Sequence, residues 1–318
     1  MKKLLALLII FLVLLFVARG WWENALSPVS KDTTEKRVVI EKGKNVKDIA
    51  AILKKENLIR SELAFNLYIR TQNLASKLSA GTFKFSPSLS TPEIVKILSG
   101  KPNETWVTLI EGWRVEEMAE ELSEKLKVKS VKFIELAKEG YMFPDTYLFA
   151  PDASADQVTK RLRDTFDLKF SNDLKNKIKL LGLTEDEGVI LASIVEREAR
   201  SDKARTEIAS ILLKRFKIGM GLNADATLQY ALGYQEGEKS WWKRYLSKED
   251  KKVDSPYNTY LYRGLPPKPI CNPGLSSITA VANVNPNTPY LYYYHDSKGN
   301  SHYGKTLEEH LENVANNP

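Results

Sequence analysis

Cysteine and histidine are nearly absent from these 318 residues: one cysteine, Cys271, and three histidines, His295, His302 and His310. A single cysteine excludes an intramolecular disulfide and argues against any cysteine-ligated metal site. Three histidines confined to the C-terminal end, with no HExxH spacing, leave no zinc-hydrolase motif, so neither a metal nor a cofactor is expected. His302 and His310 have no partner nucleophile in sequence and read as structural. Internal repeats and low-complexity tracts are also missing. The net charge of +7 is spread along the chain rather than clustered, which argues against a nucleic-acid partner.

Long apolar runs are scarce too, and the one present is at the start. Lys2 and Lys3 precede an unbroken apolar stretch from Leu4 to Ala18, followed by Arg19, Gly20, Trp21 and Trp22. Fifteen residues fall short of the roughly 20 that span a bilayer. Snorkelling of Arg19 and an aromatic belt at Trp21 and Trp22 extend the run. The alternative is a cleaved signal peptide with a poor small-residue site at Ala18-Arg19-Gly20. The reading adopted is an uncleaved transmembrane anchor over residues 1–22, with the body on the extracytoplasmic face of the cytoplasmic membrane. Residues 23–36 are polar and read as a linker.

Residues 37–101 carry the signals of a small α+β module. Val38–Ile40 reads as a strand, and Asn45 with Asp48 opens a helix that places Val46, Ile49, Ala50 and Leu53 at helical spacing. A second helix is predicted over Glu62–Thr71, a strand over Thr82–Phe85, and a third helix from Ser90, Pro92 and Glu93. Residues 102–318 form the larger body. A strand is expected over Trp106–Ile110 and helices around Val115–Leu122, Phe133–Ala137, Val158–Phe166 and Ile208–Phe216. After Lys243 the abundance of Pro, Asn and Tyr reads as loops and short strands, with one strand in Pro289–His295.

The stretch Val189–Arg200, VILASIVEREAR, stands apart. Thr184 and Glu187 make a capping box, so a helix starts after Thr184. Its residues 189–195 are apolar on every side except Ser193, the pattern of a buried helix. Glu196 continues the buried stripe. A carboxylate there is costly unless paired, or neutral because its pKa is raised, and a raised pKa suits a general acid. The competing reading pairs Glu196 with Arg200 one turn on. Glu198 lies roughly 200° around the helix from Glu196 and reads as a surface or supporting carboxylate.

SIVERE at Ser193–Glu198 resembles the signature of the YceG-like, or MltG-type, endolytic murein transglycosylases. Glu111-Gly112, GYMFPDTY at Gly140–Tyr147, LNADATLQY at Leu222–Tyr230, YNTY at Tyr257–Tyr260, GLPPKPICNPG at Gly264–Gly274 and TPYLYY at Thr288–Tyr293 are similar to that family's blocks and stand in its order. Ala226 departs from a common proline, and Lys214 from an asparagine often found before arginine. The resemblance implies an α+β, membrane-anchored, two-domain protein. A small LysM-like module covers 37–101, and a larger mixed α/β YceG-like catalytic domain covers 102–318.

The resemblance further implies a lytic transglycosylase that cuts between N-acetylmuramic acid and N-acetylglucosamine and leaves 1,6-anhydro ends. Glu196 is then the catalytic acid and base. Glu198, Asp225, Tyr257, Asn258 and Tyr260 are candidates for substrate contact or support: rings to stack on sugars, an amide for an N-acetyl group, a carboxylate to orient sugar or brace the acid. A turn-capping role for Asp225 and a core role for the tyrosines stay open. The implied partners are peptidoglycan strands, the cytoplasmic membrane and penicillin-binding proteins. Two other classes remain: a glycan hydrolase using two carboxylates, and a non-catalytic, membrane-anchored glycan-binding scaffold.

Overall fold

The computed structural model describes residues 2–199 and 201–317, as two compact units. Arg200, the expected partner of Glu196, lies outside the described residues.

The first unit runs through Val107 and takes back Tyr147–Asp152. It begins with helix α1 (Lys2–Leu26). Leu7–Leu26 is long and apolar enough to cross a membrane. Strand β1 (Lys36–Ile40) pairs antiparallel with β2 (Gly81–Phe85), Val38 opposite Phe83. Between them run α2 (Val46–Lys55) and α3 (Glu62–Thr71), and after them α4 (Thr91–Leu98). The caps are those the sequence offers. Asn45 accepts from the Lys47 and Asp48 amides, and Ser90 and Glu93 form a capping box with Pro92 behind it. The alternation of β2 points Phe83 and Phe85 to one side, where their rings lie 5.9 Å apart in a core with Phe65, Leu53, Ile69 and Ile94. Each such side chain contributes about 1.5–3 kcal/mol by leaving water. Strands β3 (Thr105–Thr108) and β4 (Thr146–Phe149) form a second two-stranded sheet.

The second unit is mainly helical. Helices α5 (Val115–Lys125), α6 (Ser130–Leu136), α7 (Ala155–Lys169) and α8 (Asn172–Leu180) lead to α9 (Glu185–Glu198). Then come α10 (Asp202–Lys217), α11 (Asp225–Leu232), α12 (Leu275–Ala282), the hairpin β5 (Tyr292–His295) with β6 (Ser301–Gly304), and α13 (Leu307–Asn316). The centre is α9. Gly188–Val195 are all buried, and α8, α10, α11 and α12 pack around it. Its start carries the expected capping box, the Glu187 amide donating to Thr184 Oγ1 at 3.1 Å, with Glu185, Asp186 and Glu187 in the first turn, where the helix dipole favours acids.

Several regions differ from the sequence expectation: α11 and β4 have no assignment there, α1 runs to Leu26, into the expected linker, and two further regions depart for physical reasons. Helix α8 has only Leu174 and Ile178 buried, too few positions for a strong helical period. The region after Lys243 is not only loops and short strands, because α12 and α13 lie within it. Helix α12, LSSITAVA, is rich in poor helix formers and has no side-chain cap, so packing against α9 and α10 makes it a helix. Helix α13 does carry a start signal, Thr306 accepting from the Glu309 amide, masked by the composition around it.

One buried amide ties the loops beside α9 together. Asn272 is fully buried. Its Oδ1 accepts from the Gly140 and Met142 amides, both at 2.9 Å. Its Nδ2 donates to the Trp113 carbonyl at 3.1 Å and to Glu139 Oε1 at 2.8 Å. All four bonds available to an asparagine side chain are made. Burial pushes Glu139 up to about 8. Gly140 sits at φ +87°, where a Cβ would also run into the Pro269 ring. Replacing Asn272 with Ala takes the side-chain acceptor from the buried Gly140 and Met142 amides, while the Trp113 carbonyl and Glu139 each lose one donor and keep another, the Asn272 and Val115 backbone amides. The expected loss is about 3 kcal/mol or more, read by denaturant unfolding of the purified protein; a variant within 1 kcal/mol of wild type would contradict it.

Candidate active site

The last turn of α9 carries Glu196, Arg197 and Glu198, and they leave the helix in different directions as the 3.6-residue period requires. The Glu196 side chain is 5% exposed. Its Oε1 meets Arg205 Nη2 at 3.3 Å, and its Oε2 accepts from the Gly274 amide at 2.9 Å. Arg205 is held on its other side by Asp202 at 2.7 Å. Glu196 thus continues a ladder along α9. Ser193 Oγ accepts from the Ile270 amide at 3.0 Å, and the Ser193 carbonyl accepts from Cys271 Sγ at 3.2 Å. The one polar residue in the apolar helix is therefore a docking point for the segment Ile270–Gly274. Glu111 stands beside this ladder, and its carboxyl is pushed up by burial and then by the charge of Glu196. Sequence reasoning gave Glu111 no role.

Glu198 is not a surface carboxylate. It lines a cavity of about 470 Å³ together with Arg215, Asp225, Tyr260, Tyr293 and His310. Burial raises its pKa first, and the nearby Asp225 charge adds to that. Tyr293 donates its hydroxyl to Oε2 at 3.0 Å, and the Ala226 amide donates to Oε1 at 3.5 Å; both bonds favour the ionised form and oppose the rise. The face opposite Glu196 is walled rather than open because the C-terminal hairpin covers it. Tyr293 and His295, two apart on β5, share a side of the strand. His295 Nε2 donates to the Glu198 carbonyl at 2.9 Å, while its Nδ1 accepts from Ser301 Oγ at 3.0 Å; the carbonyl can only accept, which fixes the tautomer. His302 pairs with Asp296 at 3.1 Å and closes the hairpin turn.

The remaining candidates divide. Asp225 opens α11 and lines the cavity, its Oδ1 accepting from the Tyr260 hydroxyl at 2.5 Å. Asn258 is fully buried. Its Nδ2 donates to the Lys251 and Val253 carbonyls and its Oδ1 accepts from the Tyr260 amide, so it braces the turn with both of its donors engaged. Tyr257 lies on the other side of that turn, its ring 4.8 Å from Tyr230 in a separate cavity with Glu139. Thr259, overlooked in the sequence, fixes the turn to α11: its Oγ1 accepts from the Ala224 amide at 3.1 Å and meets Thr227 Oγ1 at 2.8 Å. The structure thus brings Glu198, Asp225 and Tyr260 together and leaves Glu196, Tyr257 and Asn258 elsewhere.

A desolvated carboxyl in a tyrosine-walled cavity, with a second carboxylate held by a phenol, is the arrangement of an acid–base site for a bulky polar substrate. The chain belongs to the YceG-like family, which it matches over residues 38–316. It is 32% identical over 325 residues to the endolytic murein transglycosylase of Bacillus subtilis (strain 168), covering 91% of this chain and 86% of that protein. It is 27% identical to the protein of the same name from Streptococcus pneumoniae serotype 2 (strain D39 / NCTC 7466), covering 92% of this chain but 60% of that longer protein. A crystal structure of a yceG-like protein from Listeria monocytogenes is similar at a TM-score of 0.62 and 28% identity, over 87% of this chain and 98% of that one.

The site makes a signed prediction about protons. A carboxyl with a raised folded-state pKa holds its proton more tightly folded than unfolded. The stability it contributes is full below the ordinary carboxylate range and is lost as pH rises through the folded pKa. Tyr293 stabilises the ionised form, so Tyr293→Phe moves the Glu198 titration to higher pH. Carbon-detected NMR of the Glu198 carboxyl reads this directly, and an unchanged or lower midpoint would rule out the hydrogen bond.

Proposed function

We propose that the chain is an endolytic murein transglycosylase whose acid is Glu198. The observation that carries the assignment is the desolvated Glu198 carboxyl in the same cavity as Asp225 and Tyr260. Protonated Glu198 donates to the leaving glycosidic oxygen as the bond between N-acetylmuramic acid and N-acetylglucosamine breaks. The ionised carboxylate then takes the proton of the sugar's own C6 hydroxyl as that oxygen closes on C1. The product is a 1,6-anhydro end, no water is consumed, and the acid is again protonated. Asp225, kept in place by Tyr260, faces the positive charge that develops at C1. Tyr293 and the Ala226 amide hold the Glu198 carboxylate in the interval when it must act as base.

Glu196, the acid expected from the sequence, is the second reading. Its burial at the end of the apolar stripe and the raised carboxyl of Glu111 beside it favour that reading. The two are separated by paired variants on uncrosslinked glycan strands. Glu198→Gln is expected to lose about 10²- to 10⁴-fold in turnover with its fold intact. Glu196→Gln is expected to lose about 2 kcal/mol of stability by weakening the Arg205 contact, with a smaller loss in turnover. The reverse ranking moves the acid to Glu196. Product termini one water lighter than hydrolysis gives mark the lytic reaction; termini carrying that water make the enzyme a hydrolase using Glu198 and Asp225.

The rest of the chain supports placement of this activity at a membrane. Residues 37–101 act as a LysM-like module: two antiparallel strands flank two helices, and a cavity lined by Val46, Leu63, Asn66 and Asn73 offers a mixed apolar and amide surface for a glycan. Helix α1 holds the protein as a single-pass anchor in the cytoplasmic membrane with the body outside, where penicillin-binding proteins extrude nascent strands. Its side chains from Leu7 to Val17 are apolar and exposed, as lipid-facing groups are. The full-length protein is expected to stay in carbonate-washed membranes with its N-terminus intact, and a mature protein beginning near Trp21 would refute the anchor.

A further inference from the structure

The catalytic cavity contains one charge that acid chemistry at Glu198 does not use. Arg215, on α10, is 7% exposed. Its Nε donates to the Leu291 carbonyl at 2.6 Å and its Nη1 to the Leu222 carbonyl at 2.8 Å. Both ties are to neutral groups, and among the described residues no carboxylate stands within the 4.0 Å of an ion pair. Among the described residues no hydrogen bond reaches Nη2, and the side chain lines the cavity. Burial pushes the arginine below its ordinary pKa, yet a guanidinium stays charged at any working pH. The Glu198 charge acts on Arg215 only from beyond ion-pair distance, a buried cation so placed is costly, and a fold that fixes its plane with two backbone carbonyls presents the remaining N–H donors ready-made.

The surroundings keep that end of the cavity suited to an anion. Tyr292 lies 5.2 Å from the guanidinium carbon and stacks on His310 at 5.4 Å. Burial and the charge of Arg215 lower the His310 pKa, which holds the ring neutral. Its Nδ1 is buried and without a partner, so it offers a further polar contact. Asp225, which lines the same cavity, is engaged by the Tyr260 hydroxyl.

We propose that Arg215 binds a carboxylate of the substrate, so that the cavity recognises a muramic acid residue or its peptide by charge. The proposal rests on the cavity being the glycan-cleaving site. Glycan strands supply this chemistry from two sources: the lactyl carboxylate of a peptide-free muramic acid, or a free carboxylate on the stem peptide. A carboxylate at Arg215 also adds negative potential near Glu198, which favours the protonated acid that cleavage requires.

The test is calorimetric binding to the full-length wild-type protein of two matched pairs: N-acetylmuramic acid against its lactyl methylamide, and N-acetylmuramoyl dipeptide against its fully amidated form. One acid is expected to bind about tenfold or more tighter than its neutral partner, and the pair that does so identifies the source. Arg215→Gln is expected to abolish the preference. Because that variant also loses two backbone ties, nitrogen-15 NMR of the wild-type guanidinium groups is read alongside: the preferred acid, and not its amide, should shift one exchange-protected arginine. Equal binding of acid and amide in both pairs overturns the proposal, as does a preference that persists in folded Arg215→Gln or leaves every protected guanidinium unmoved. The acid assignment is judged separately: an active Glu198→Gln removes Glu198 as the acid and leaves the charge preference standing.

Discussion

Helix α9 is buried from Gly188 to Val195, and the three charged residues of its last turn are only partly exposed, so each meets a partner from another segment. Glu196 is met by Arg205 and by the Gly274 amide. The Arg197 guanidinium carbon lies 3.7 Å from the Trp242 ring centroid, and its Nη1 reaches the Gly112 carbonyl at 3.5 Å. Glu198 is met by Tyr293 and the Ala226 amide. The same helix end therefore carries a carboxylate paired with an arginine on one side and, on the other, a carboxyl met by a phenol and a weak amide contact in a cavity wall.

The segment Ile270–Gly274 makes the structural side hold. It runs along α9 through Ser193 and Glu196 and carries Asn272, whose amide gathers the loops at Trp113 and Gly140. The loops around the centre of the second unit are placed by these bonds, and a buried network of this kind is costly when broken at one point.

Much of this was legible in the sequence where local chemistry decides. The boundaries of α2, α3 and α9 follow from caps and apolar spacing, because both act within a few residues. The buried character of α9 follows from its apolar circumference. The direction of Glu198 also follows from the helical period; what lies in that direction does not. An opposite face is read as solvent by default, and only the docking of a hairpin 95 residues away converts it into a cavity wall. The place of Asn258 was hidden for the same kind of reason. An amide between two tyrosines fits a sugar in sequence, and only the fold shows it buried and bonded to Lys251, Val253 and Tyr260. Helix α12 was illegible because its residues favour no helix until α9 and α10 bury them.

The site is completed by long-range contacts. The Asp225 and Tyr260 bond spans 35 residues and the Tyr293 contact to Glu198 spans 95. The Glu198 carboxyl is carried on a helix whose start is fixed locally by its capping box, while part of its environment comes from the distant hairpin of β5 and β6. Burial raises the proton affinity of that carboxyl, and the hairpin's own Tyr293 limits the rise. One tyrosine side chain thus brings both an aromatic ring that lines the cavity and a hydroxyl that donates to the carboxylate.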